Sequence, residues 1–175
     1  MNYLILGTKS WHQRIVQERR QYWPGNYYLM TDHKELTHHA IKTMNPRYLF
    51  SWQWSWKIPS EILTATECVG FHMTSLPEGR GGSPLQHLLL AGRTTTEVTA
   101  FRLTEQWDAG PIYGRVPLSL EGSAEAIYVR AAEVCADLTQ WMIATEPDPV
   151  AQKSSESLPQ KRRTPAESEV PPGKT

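Results

Sequence analysis

Four short apolar runs, at residues 3–6, 27–30, 48–50 and 68–71, are separated by stretches of helical character. Strands that alternate with helices predict an α/β protein built on a mostly parallel sheet. Tyr3-Leu4-Ile5-Leu6 ends at Gly7, and Thr8-Lys9-Ser10 offers a cap for a helix over 11–22. Pro24-Gly25-Asn26 turns the chain into the second run, a helix over 35–44 stops before Asn45-Pro46, and the third run follows. After the fourth run, Pro84 opens a helix that Gly92 closes. Residues 94–103 are β-branched and alternating, and 112–118 supply a partner strand across the turn Asp108-Ala109-Gly110-Pro111. Ser123 caps a last helix in which Ile127, Ala131, Val134, Leu138 and Met142 share one face.

At 175 residues and 39% hydrophobic, the chain can bury one core and is too short for two ordinary domains. The expected division is a core over 1–145 and an extension over 146–175, extended or partly disordered, which holds six of the 13 prolines. Eighteen basic residues balance 18 acidic ones, so no net field favours a polyanion, and nucleic acid is not expected as a partner. Cys68 and Cys135 fall in apolar patterns that suit reduced core thiols. The first residues carry no basic region and no apolar run is long enough to cross a bilayer, so the expectation is a cytoplasmic protein away from membranes.

His72 ends the fourth run, where open α/β sheets bind ligands; a histidine there is either hydrogen-bonded into its loop or chemically active. Gly79-Arg80-Gly81-Gly82 fits neither a dinucleotide fingerprint nor a Walker motif, and reads as backbone freedom close to a ligand. Arg80 would clamp an anionic substrate group or pair with Glu78. Asp108 is a turn residue unless it meets His72, whose ring it would then orient. Extended, 51–59 would place Trp52, Trp54 and Trp56 on one face and Gln53 and Ser55 on the other, as a core strip or as a wall for a flat ligand. His33, His38 and His39 match no metal-site spacing, and no metal is assigned. Lys161-Arg162-Arg163 is a solvated run unless the extension folds back to meet an anionic group.

Together, residues 72–81 and Trp107-Asp108-Ala109-Gly110 resemble the formyltransferases that use 10-formyltetrahydrofolate, whose pattern runs Asn-x-His-x-Ser-Leu-Leu-Pro-x-x-Arg-Gly with a distant Asp-x-Gly. Asn45 to Phe50 leading to Ile58-Pro59, and Lys161 to Glu167, are similar to further segments of that family. The resemblance implies a Rossmann-like formyltransferase fold. It implies His72 as the catalytic histidine, Asp108 as its acidic partner, and Thr74, Ser75, Leu76 and Pro77 as the loop around the folate. The form Arg-Gly-Gly-Ser-Pro-Leu-Gln is similar to members that formylate a small-molecule amine, especially an amino sugar carried on a nucleotide. A homodimer is the other partnership considered. A hydrolase releasing formate and a folate- or nucleotide-binding relic are the alternatives. Gly70 stands where the family places its Asn, so an oxyanion donor is missing, and Gln53 or Ser55 is the expected substitute.

Overall fold

The computed structural model describes residues 1–153 and 159–168. A six-stranded sheet has the order β2-β1-β3-β4-β5-β6. Its strands are β1 (Asn2–Leu6), β2 (Asn26–Met30), β3 (Tyr48–Ser51), β4 (Glu67–His72), β5 (Thr95–Arg102) and β6 (Ile112–Ser119). β1 to β4 are parallel, and β5 and β6 turn antiparallel, with Gly70 opposite Phe101 and His72 opposite Thr99. The sheet is therefore mostly parallel, as the alternation predicts.

Alternation along the parallel strands feeds two layers. Tyr3, Ile5, Phe50 and Val69 face α1 (Ser10–Arg19), α4 (Pro84–Leu90) and α5 (Ala124–Thr145). Leu4, Leu6, Leu49 and Cys68 face α2 (His38–Met44) and α3 (Ser60–Ala65). Ser123 caps α5 by accepting from Ala126 N at 3.2 Å, and the predicted face of Ile127, Ala131, Val134, Leu138 and Met142 is buried. Both thiols are free and buried, and burial raises the Cys68 thiol to about 12.

Three expectations change. The helix predicted over 35–44 starts at His38, because the Thr37 hydroxyl caps Ala40 N while His33–Glu35 forms a separate 3-10 turn. α3 was not foreseen; six residues are too few to show a helical period. The aromatic strip is not extended, since β3 ends at Ser51 and Gln53 takes a left-handed φ of 48°. Trp52 then enters the α5 layer, Trp54 packs towards the α3 layer, and Trp56 is exposed.

The described part of the extension touches the core at two backbone bridges and carries a 3-10 turn at Ala166–Ser168. Val150 exchanges backbone hydrogen bonds with Ile112, and Gln160 bridges to Gly81. The disorder expected of this region falls, for 154–158 and 169–175, outside the described residues. Among the described residues no helix is long and apolar enough to cross a membrane, and no cluster of three His, Cys, Asp or Glu could hold a metal.

Candidate active site

Strand order reverses direction between β1 and β3, and open sheets of this kind bind ligands beyond the carboxyl ends of the parallel strands. His72 is the last residue of β4, 8% exposed, and shares a strand face with Cys68 and Gly70.

The next residues curl back over it. The Thr74 hydroxyl donates to the Glu78 carbonyl at 2.7 Å, and the Thr99 hydroxyl donates to the Thr74 carbonyl at 2.6 Å. The Arg115 guanidinium donates to the Leu76 carbonyl at 2.5 Å, and the Ser75 hydroxyl donates to the Glu97 carboxylate. Leu76 is buried, and the bond to Pro77 is cis. This curl brings the Gly79 carbonyl to 2.7 Å from His72 Nε2. A carbonyl only accepts, so Nε2 carries a proton, and in the neutral ring the lone pair lies on Nδ1.

Nδ1 faces Asp108 Oδ2 at 3.9 Å, with both side chains nearly buried. That is too long for a direct hydrogen bond, and it places a carboxylate beside the ring nitrogen that the Gly79 carbonyl leaves uncommitted. Asp108 itself has a left-handed φ of 51°, which aspartate tolerates better than most residues. Its Oδ2 accepts from Gly81 N at 2.8 Å. Gly110 allows the loop to close on β5, since a Cβ there would lie 1.7 Å from the Arg102 carbonyl oxygen.

The glycines after Arg80 serve a different neighbour from the one expected. A Cβ on Gly81 would lie 2.2 Å from the Gln160 carbonyl oxygen, and one on Gly82 would lie 2.7 Å from Arg162 Cα. They admit the protein's own returning segment. Gly82 N donates to Gln160 O at 2.9 Å, Arg163 N donates to Ser83 Oγ at 3.0 Å, and the His87 ring bonds the Lys161 carbonyl at 3.1 Å. The basic run thus does fold back beside the loop that follows His72.

Two candidate residues are engaged elsewhere. Arg80 pairs with Gln152 rather than with Glu78: its Nε and a terminal nitrogen donate to Gln152 Oε1 at 3.1 and 2.6 Å. Gln53 is bound to His12 Nε2 through Oε1 at 3.1 Å and donates to the Tyr128 carbonyl at 2.8 Å, because its left-handed backbone turns it towards α1 and α5. Ser55 is exposed. The space beside Gly70 is filled with hydrocarbon: a Cβ there would lie 2.7 Å from Leu103 Cδ2 and 2.9 Å from the Phe101 ring.

The aromatic segment forms a cluster of its own. The His33 and Trp56 rings stack at 4.6 Å and 6°, and Trp54 meets Trp56 edge-on at 5.0 Å. The Trp54 indole N–H is buried without an acceptor. Lys57 approaches Glu105 at 3.8 Å, which ties this cluster to the loop that carries Asp108.

Sequence reasoning missed His12 and Gln152. His12 sits shortly after Gly7 at the start of α1, and a Cβ on Gly7 would lie 2.7 Å from its Nδ1, so the ring fits only because that residue is glycine; that glycine was the available signal. Gln152 lies in a segment of tail-like composition, and nothing in its neighbours marks it.

At the opposite ends of the strands, a concavity of about 870 Å³ is lined by Arg47, Glu67 and Arg102 among others. Burial pushes the Glu67 carboxyl up, but hydrogen bonds from Tyr113, Arg47 and Arg102 outweigh it and hold it at about 2. With Glu146, which Arg47 also meets at 3.3 Å, two acidic groups balance the two arginines there, and His72 lies at the other end of β4.

No protein-family model matches the chain. The structure of a methionyl-tRNA formyltransferase from Clostridium thermocellum matches with a TM-score of 0.92 and 38% identity, over 99% of this chain and 77% of that one. A methionyl-tRNA formyltransferase of Nitratiruptor sp. is 34% identical over 93 residues, 53% of this chain and 31% of that protein. The alignment thus spans about a third of this curated relative. The formyltransferase PseJ from Anoxybacillus kamchatkensis, solved with a UDP-linked formamido sugar and tetrahydrofolate, matches with a TM-score of 0.67 at 17% identity over 92% of this chain and 86% of that one. At that identity the likeness is one of fold.

Proposed function

We propose that this chain, which belongs to the formyltransferase family, transfers a formyl group from 10-formyltetrahydrofolate to a primary amine. The observation that carries the reading is the arrangement of His72, with Nε2 anchored on the Gly79 carbonyl and Nδ1 turned towards Asp108 at 3.9 Å.

The stacked His33–Trp56 pair and the unpaired Trp54 indole N–H suit a flat heteroaromatic ring with an acceptor on its edge. Trp54, Trp56 and the curl over Thr74, Ser75, Leu76 and Pro77 would hold the folate. The folate supplies an activated formyl carbon: a C–N bond to the acceptor forms, the bond to the folate nitrogen breaks, and the amine's proton ends on that nitrogen. Nδ1 of His72 takes the proton from the amine, and Asp108 balances the charge the ring then bears. The Gly79 carbonyl keeps the ring from turning during the transfer. With hydrocarbon beside Gly70 and Gln53 committed to His12 and Tyr128, donors to a developing oxyanion must come from the main chain or from the protonated ring.

The acceptor expected from the sequence is a nucleotide-linked amino sugar, a class named for the PseJ structure. A second reading, the amino group of methionine carried on tRNA, is favoured by 38% identity to the C. thermocellum protein across almost the whole chain. The decisive experiment incubates purified protein and 10-formyltetrahydrofolate with UDP- and dTDP-linked amino sugars and with methionyl-tRNA in separate reactions, and follows tetrahydrofolate. Acceptor-dependent release supports transfer and identifies the acceptor. Release of formate without any acceptor means hydrolysis instead. No release under any condition defeats the proposed activity.

A further inference from the structure

We infer that Gln152, in the returning segment, is a positioning residue that sets Asp108 against His72. The inference rests on the catalytic reading of that pair.

Every hydrogen-bonding position of the Gln152 amide is engaged. Nε2 donates to the Asp108 carbonyl at 2.8 Å and to the Gly110 carbonyl at 2.7 Å. Oε1 accepts twice from Arg80, at 3.1 and 2.6 Å. One side chain therefore joins two loops far apart in sequence: the one after β4, which carries Arg80 and Gly81, and the one before β6, which carries Asp108 and Gly110.

The junction matters because the two loops share the reacting geometry. Gly81 N donates to Asp108 Oδ2 at 2.8 Å, and that same oxygen faces His72 Nδ1. The distance between carboxylate and ring thus depends on how the two loops sit against each other. Asp108 also holds a left-handed backbone that an unsupported loop would leave readily. Gln152 is placed by the backbone pairing of Val150 with Ile112, on the strand that emerges directly after Gly110 and Pro111. An amide is the side chain this position requires: two donors for two carbonyls, and an oxygen for one guanidinium.

Two variants separate positioning from bulk stability. Gln152→Ala removes all four contacts. Gln152→Glu keeps an acceptor for Arg80 but has no donor for the Asp108 and Gly110 carbonyls, so the segment stays docked while the Asp108 loop is released. Full-length protein is compared by the Gly81 backbone amide resonance in NMR spectra, by thermal unfolding, and by kcat and KM for formyl transfer. A displacement of the order of 1 Å at the reacting groups costs on the order of 100-fold in rate. The expected result is an upfield shift of the Gly81 amide proton in both variants, with kcat lower by about 100-fold and the KM for the folate within about twofold. Gln152→Glu should unfold close to the wild-type temperature. An unmoved Gly81 resonance in both variants overturns the inference, whatever the activity. So does an unchanged kcat in both variants of an active enzyme. If wild-type protein transfers nothing while the resonance moves, Gln152 still positions Asp108, and it is the formyl-transfer reading that fails.

Discussion

His12 and His72 are both buried histidines at the carboxyl side of the sheet, and they have opposite surroundings. His12 is fully enclosed; Lys9 N donates to its Nδ1 at 3.3 Å, and its Nε2 bonds Gln53 Oε1 at 3.1 Å. Both nitrogens are met by neutral groups, and burial pushes the ring down to about 4. His72 has only Nε2 committed, to the Gly79 carbonyl, while Nδ1 faces a carboxylate in a loop held by other loops. Burial alone does not make a histidine reactive. What distinguishes the second is one uncommitted nitrogen with a compensating charge beside it.

The largest effect should separate the two at once. His72→Ala is expected to lower kcat by about 1000-fold, within the usual range for a lost general base, while tetrahydrofolate binding measured by calorimetry persists. Asp108→Asn comes next, with a loss of about 100-fold, because the protonated ring loses its balancing charge although Gly81 N keeps an acceptor. An Asp108→Asn rate equal to wild type would mean that the pair does not act as a unit.

The His12 side of the comparison is one of stability. His12→Ala should cost about 3 kcal/mol in urea unfolding, since it opens a cavity and strips the Gln53 oxygen of its partner. Transfer per folded molecule should be unchanged. His12 also gives a signed pH dependence. Its folded pKa, about 4, lies below the ordinary 6.5, so the unfolded chain takes up a proton first as pH falls. The His12 contribution is intact above pH 6.5, is lost progressively between 6.5 and 4 by up to about 3 kcal/mol, and is constant below that. Thermal unfolding across this window should be steeper for wild type than for His12→Gln. The smallest effect belongs to Gln53→Ala, about 1 kcal/mol of stability with kcat unchanged. A large fall in kcat there would return Gln53 to the reacting site and blur the contrast.

How much of this could be read beforehand differs by element. β1, β3 and β4 were legible because their residues are buried on both faces and appear as unbroken apolar runs, whereas β2, at the sheet edge, is only partly buried and was legible from its aromatic and apolar residues alone. α5 was legible because 22 residues repeat one buried face, whereas α3, at six, repeats nothing. His72 and Asp108 were recognisable by motif, and the fold brings them together. Gln53 was misplaced because an extended strand was assumed where the backbone turns left-handed, and no residue type at 52–54 announces that turn. The contact of Arg80 with Gln152 was not foreseen because Gln152 lies in a stretch whose composition suggested an unattached tail.

The succession of strands and helices is thus legible in the sequence by itself, because it follows from local periodicity, and the candidacy of His72 and Asp108 follows from a motif shared with a family. Which nitrogen of His72 is free, what occupies the space beside Gly70, and why Gly81 and Gly82 lack side chains were decided by tertiary structure. Each depends on a distance between residues remote along the chain. The Gln160 carbonyl oxygen at 2.2 Å from a would-be Cβ has no trace in the residues around Gly81.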